Sequence, residues 1–274
     1  MATPVPARLF DPGFAYVTSP FIRPSFLALW RLLVAVYVTI ALIYSLAYGG
    51  GRTSCRFFSY FTHLTYIGMC SWFWASGVQT AIYAFYRKGG KPVYPLRKWP
   101  RPLQWAHECL WSTIATFPIV VTIVYWAILS PNLAEATTAG VWGTVSMHAV
   151  NSFLCLTEVL GTNNPAPRWL TLLVDIIILA LYLGLAYLSK KTLGFYVYDF
   201  LDPKKAGNYL AAYIVGIGVA EVIVFVVMWG IIRLRQRLTK WDPTVEERRQ
   251  DTEATPELVL PSDMSMSDDH KSKP

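Results

Sequence analysis

Two stretches of apolar sequence carry side chains able to do chemistry. The first, Arg56 to Met69, places Thr62, His63 and Thr65 where a lipid-facing helix would carry Leu or Val. The second, Trp142 to Glu158, carries His148, Asn151 and Glu158. A Thr hydroxyl is a weak nucleophile until a base lies beside it, and His is the commonest general base. Thr62 and His148 are therefore a candidate nucleophile and base. From His148, Asn151 follows at three residues, Cys155 at seven and Glu158 at ten. At about 100° per residue these fall within one stripe of roughly 80°. Asn151 and Glu158 are thus candidates to orient His148 or to serve an oxyanion. Each residue also has a plain structural reading. A Thr in a helix bonds back to a carbonyl one turn earlier, polar side chains tie membrane helices together, and Glu158 at a helix end would serve as an interfacial anchor. His63 points about 100° away from Thr62, so those two are not expected to work from one face.

The elements that must position these groups read as membrane spans. The 274 residues are 54% hydrophobic and only 15% charged, with 11 Trp and 16 Tyr. That composition fits an all-α, polytopic membrane helix bundle with interfacial aromatics. Six spans are expected at roughly 26–48, 57–86, 106–130, 137–160, 168–189 and 209–232. Each is long enough to cross a hydrocarbon core of about 30 Å. Residues 1–25 read as an unpatterned, Pro-rich N-terminal segment, 26–232 as the membrane domain, and 233–274 as a basic, then disordered tail. Basic residues concentrate at Arg87–Arg101, at Arg233–Lys240, and at Arg8, Arg23 and Arg168. The opposite loops carry fewer: Arg52, Arg56, Lys190, Lys191, Lys204 and Lys205. This bias places both termini in the cytosol. The net charge of +7 is accordingly read as a topology signal, with no nucleic acid partner expected. Pro118 should kink the third span, and Arg31 reads as snorkelling from the first. Asp175 and Glu221 are intramembrane acids without an assigned partner.

Thr62 lies about five residues from the non-cytosolic end of its span and His148 about eleven. At about 1.5 Å per residue this is an axial offset of about 9 Å, which tilt can close. No G-x-S-x-G elbow, H-E-x-x-H helix, Walker A loop or dinucleotide glycine motif occurs. The four cysteines show no disulfide or zinc spacing, and no metal or other cofactor is implied.

At this level of detail the sequence resembles the androgen-induced protein family, which includes the androgen-dependent regulator of tissue factor pathway inhibitor. Its members are multi-spanning threonine hydrolases of fatty acid esters of hydroxy fatty acids. Tyr60-Phe61-Thr62 resembles the context of the family's catalytic Thr. Met147-His148 with Glu158 ten residues on resembles that of its catalytic His. Phe117-Pro118 and the segment from Gly194 to Asp202 also resemble family motifs, and the likeness covers about 57–232. The N-terminal segment, the strongly basic loop after the second span and the Val-Ser-Met-His context of His148 depart from the pattern.

The resemblance implies Thr62 and His148 as the catalytic pair and a lipid ester as substrate, in the endoplasmic reticulum or plasma membrane. The bilayer is the expected environment, and no obligate protein partner is evident. Arg52 and Arg56, just before the second span, are candidates to hold a substrate carboxylate, with Lys190 and Lys191 on the same side. Two other functions compete. One is a non-catalytic lipid-binding or transport protein on the same bundle. The other is a haem electron carrier using His63, His107 and His148, which their differing depths disfavour.

Overall fold

The computed structural model describes residues 10–48, 54–87, 93–129 and 138–241. These are helical throughout, joined by short turns, and contain no strand. In chain order the helices are α1 (Pro24–Tyr48), α2 (Ser54–Phe57), α3 (Phe61–Arg87), α4 (Arg101–Val124), α5 (Thr138–Val145), α6 (Asn151–Gly161), α7 (Trp169–Leu193), α8 (Pro203–Ala206) and α9 (Leu210–Leu238). Two π-helical turns interrupt the pattern. One, Tyr125–Leu129, extends α4, and the other, Ser146–Val150, joins α5 to α6.

The six apolar stretches expected as spans are all helical. Among the described residues four stretches are long and apolar enough to cross a membrane: Pro24–Ala47, Arg101–Leu129, Trp169–Leu193 and Pro203–Leu238. The other two, α3 and the α5–π–α6 run, carry the Thr, His, Ser, Gln, Asn and Glu side chains that dilute their apolar character. The outward surface supports a lipid setting. α7 and α9 expose Leu173, Ile177, Leu181, Val215, Val219 and Ile223, while Asp175 and Glu221 on the same helices are fully buried. Polar groups inside and apolar groups outside is the arrangement a bilayer demands.

α1 and α3 pack most closely. Gly77 permits it, because a Cβ there would meet Leu32 Cδ2 at 3.0 Å. α7 ends where Gly194 takes a left-handed φ of 79° and its N–H bonds to the Lys190 carbonyl at 3.1 Å. Glycine reaches that conformation without the steric cost a Cβ would add.

The N-terminal segment does more than its Pro-rich sequence suggests. Phe14, Ala15, Tyr16 and Val17 are buried under one end of the bundle. The Asp11 carboxylate accepts from the amides of Ala15 and Tyr16 at 2.8 and 3.2 Å. Arg97, expected only to set topology, donates to the carbonyls of Asp11 and Pro12 and stacks on Phe14 at 3.5 Å. The first and last described residues, Phe10 and Trp241, line one groove at this end.

Arg31 departs from the expectation of a snorkelling side chain. It is fully buried and makes a two-pronged ion pair with Glu158, Nε to Oε1 at 2.9 Å and Nη2 to Oε2 at 2.7 Å. Its Nη1 donates to the Tyr16 carbonyl and to Thr80 Oγ1. Trp72 Nε1 and Asn164 Nδ2 complete the shell around the carboxylate. Arg235 turns inward as well, donating to the carbonyls of Val159 and Asn164. For Arg31 and Glu158 the reason is electrostatic: a buried charge is stabilised by an opposite charge and by hydrogen bonds around it.

Candidate active site: Thr62, Tyr198 and the cavity between α3, α4, α7 and α9

Thr62 is the second residue of α3, at the bundle end opposite the Arg31–Glu158 pair. Its side chain lines an apolar cavity of about 260 Å³ walled by residues of α3, α4, α7, α9 and the loop before α8. Phe61, Val121, Tyr125, Tyr182 and Phe200 contribute the walls that matter most here. Phe61 is held edge-on to Phe117 at 5.2 Å and against Tyr182 at 4.8 Å.

Tyr198 closes the same cavity from the loop after α7. Its hydroxyl accepts the Phe61 N–H at 3.1 Å and also lies against the hydroxyl and amide of Thr62. The first amides of a helix have no partner within the helix, so a side chain from elsewhere must meet them. Burial pushes the Tyr198 hydroxyl above its ordinary pKa, although bonds from Tyr182, Phe61 and Thr62 oppose the shift. The phenol therefore keeps its proton at neutral pH and can donate it in a hydrogen bond. Sequence reasoning gave Tyr198 no role. The Gly194–Asp202 motif held the signal, but only the fold shows that this segment turns into the bundle.

His148 sits on the π-helical turn between α5 and α6. Its ring stacks flat on Tyr125 of the other π turn, with centroids 3.6 Å apart and planes 10° apart. The Trp126 indole holds the His148 carbonyl at 3.0 Å. Such π turns widen the helix and recur at functional sites. Tyr125 lines the Thr62 cavity, so the His148 ring lies directly behind one wall of it. No hydrogen bond joins Thr62 Oγ1 to His148 among the described residues, and His148 Nδ1 is buried without a partner.

The proposed supports of His148 go elsewhere. The Asn151 carbonyl oxygen accepts from Thr122 Oγ1 at 3.1 Å and from the Ser152 amide, and Asn151 Nδ2 reaches the Pro118 carbonyl at 3.4 Å. Ser152 Oγ bonds the same Pro118 carbonyl at 2.9 Å. Asn151 therefore ties α6 to α4 at Pro118 and Thr122. Glu158 is committed to Arg31 at the far end of the bundle. The shared stripe read from spacing fails because the π turn inserts about one residue, or about 100° of rotation, between His148 and the rest.

The remaining candidates divide. Thr65 faces a separate recess of about 490 Å³, and its hydroxyl bonds back to the Thr62 carbonyl at 3.0 Å. Arg56 is exposed and lies 4.7 Å from the Phe195 ring centroid, in an aromatic cluster that continues through Tyr60 to Tyr198. Arg52 lies outside the described residues. Lys190 stays at the same end, donating to the Gly194 carbonyl and facing Tyr196. His63 is held by Ser45 Oγ and the Phe57 carbonyl and is stacked on Phe57 at 4.1 Å. His107 is packed against Trp72 and Tyr16 at the other end. His107 lies at the opposite end of the bundle from His63 and His148, so the three do not fit one shared haem. Among the described residues no group of three potential metal ligands forms.

No family model matches the chain, and neither curated proteins nor solved structures give a match.

Proposed function

We propose that this chain is an integral-membrane hydrolase of lipid esters, with Thr62 as nucleophile and His148 as base. The observation that carries this reading is the Thr62 hydroxyl, which opens on an apolar cavity at the start of a helix, beside the protonated Tyr198 hydroxyl. Thr62 Oγ1 attacks the ester carbonyl and its proton passes to His148. His148 then protonates the departing alcohol, and water hydrolyses the acyl-threonine in a second step. Tyr198 donates to the carbonyl oxygen as it gains negative charge. The step requires His148 to reach Thr62 in the substrate complex, directly or through one water, as catalytic hydrogen bonds often tighten only there. Movement of the Tyr125 ring off His148 would open that path.

The family resemblance suggests the substrate class, and the apolar cavity supports it. An apolar chain fills the cavity, and Arg56, linked to Tyr198 through the Phe195 and Tyr60 rings, takes a carboxylate, which suits fatty acid esters of hydroxy fatty acids. The six helical stretches support six spans. The basic asymmetry supports cytosolic termini, in the endoplasmic reticulum or plasma membrane. Labelling of the purified protein with a fluorophosphonate probe tests the nucleophile. Wild type and Thr62→Ser should label, and Thr62→Ala should not.

One observation favours a second reading, a lipid-binding protein without turnover: Thr62 and His148 are not hydrogen-bonded and the cavity walls are apolar. Equal labelling of wild type and Thr62→Ala would make that reading the better one.

A further inference from the structure

A second concave site lies at the opposite end of the bundle from Thr62. There the N-terminal segment, the start of α4, the turn at Pro165–Ala166 and the end of α9 enclose a groove of about 990 Å³. Arg233 and Arg237, one turn apart on α9, line it together with Lys240, which lies just past the helix end. All three are exposed, and no carboxylate pairs with any of them among the described residues. The two acids in the groove are already engaged. Asp11 accepts the amides of Ala15 and Tyr16, and Glu108 accepts Arg168 at 3.2 Å. Trp229 packs beneath Arg233 at 5.1 Å, and Trp241 lines the groove past the helix end. Leu234 and Leu238, large and exposed, lie beside these cations where α9 leaves its apolar span.

We propose that this groove binds the phosphate headgroup of an anionic phospholipid. Three cations in one groove, with no carboxylate partner among the described residues, favour an anionic ligand. Arg guanidinium groups match the oxygens of a phosphate in pairs. The groove lies at headgroup depth, flanked by tryptophans of the kind that settle at the membrane interface. Leu234 and Leu238 offer the acyl chains an apolar surface contiguous with the lipid-facing side of α9. Basic pockets between membrane helices take such headgroups, each Lys or Arg near the surface contributing roughly five-fold in affinity. The site shares no lining residue with the Thr62 cavity, so it stands whether or not Thr62 is a nucleophile.

Native mass spectrometry of the full chain, offered equal amounts of phosphatidate and phosphatidylcholine, reads the binding directly. Phosphatidate should be retained at least about ten-fold over phosphatidylcholine. The triple variant Arg233→Gln/Arg237→Gln/Lys240→Gln should lower retention by roughly 100-fold, from three contacts of about five-fold each. All three side chains are exposed, so the unfolding midpoint should stay within a degree or two of wild type. Lys190→Gln/Lys191→Gln, at the other end of the bundle, should leave retention unchanged. Equal retention of the two lipids would overturn the proposal. So would equal loss in the two sets of variants, or displacement of phosphatidate by inorganic phosphate at the same concentration.

Discussion

Two polar sites at opposite ends of the helical bundle are satisfied in opposite ways. At one end, Arg31 and Glu158 are sealed from solvent, and every oxygen and donor nitrogen of the pair is bonded, to the partner side chain or to Trp72, Thr80, Asn164 or the Tyr16 carbonyl. At the other end, Thr62 opens on a cavity and His148 Nδ1 is buried with no partner. An unmade hydrogen bond of that kind costs about 1–3 kcal/mol. A satisfied network needs no ligand to explain it. An unsatisfied nitrogen behind a cavity wall has capacity left for a substrate or a water. The difference separates a group that holds helices together from one that is available for chemistry, although both looked alike as polar residues on apolar helices.

The comparison breaks most sharply at the catalytic pair. Thr62→Ala and His148→Ala should each reduce ester turnover by about 10³-fold or more, and the double variant should be little worse than either, because the two act as a unit. Thermal unfolding of all three in detergent should change by less than about 1 kcal/mol, as expected away from the satisfied network. Additive losses in the double variant would show that the residues act independently.

Arg31→Met attacks the satisfied end. It strands a buried carboxylate, so destabilisation of about 3–5 kcal/mol is expected, read from denaturation in detergent. Arg31→Met/Glu158→Leu should recover most of that loss by removing both charges. If the single variant proved as stable as wild type, the pair would not be the hub of this end.

Tyr198→Phe tests the group that only the fold brings to Thr62. It should lower kcat by about 10² with little change in KM, because its hydroxyl acts on charge that develops in the transition state. A rise in KM with kcat intact would make Tyr198 a binding residue only. Asn151→Ala sharpens the comparison from the structural side. It should destabilise the bundle by about 1–3 kcal/mol by releasing Thr122 and the Pro118 carbonyl, while the kcat of the folded fraction stays within about two-fold. A large fall in kcat would return Asn151 to the role of orienting His148. The smallest effect belongs to Thr65→Ala, one turn along from Thr62 but facing another recess, which should turn over within about two-fold of wild type.

Helicity, the position of each long helix and the assignment of Thr62 and His148 to different helices were legible in the order of residues. Apolar periodicity and run length are local properties, and hydrophobic burial acts on them directly. The stop at Gly194 is of the same local kind, because it follows from the φ that glycine can adopt. Three things waited for the tertiary structure. Arg31 and Glu158 are 127 residues apart, and nothing in either neighbourhood marks the other as its partner. Tyr198 lies in a loop whose direction depends on where α7 ends and α9 begins. The π turn at Ser146–Val150 rotates His148 out of register with Asn151 and Glu158, which no count at 3.6 residues per turn anticipates. Local sequence governs which groups a helix carries. Which of them meet depends on helix register and packing, and these arise only when all the helices bury their polar faces together.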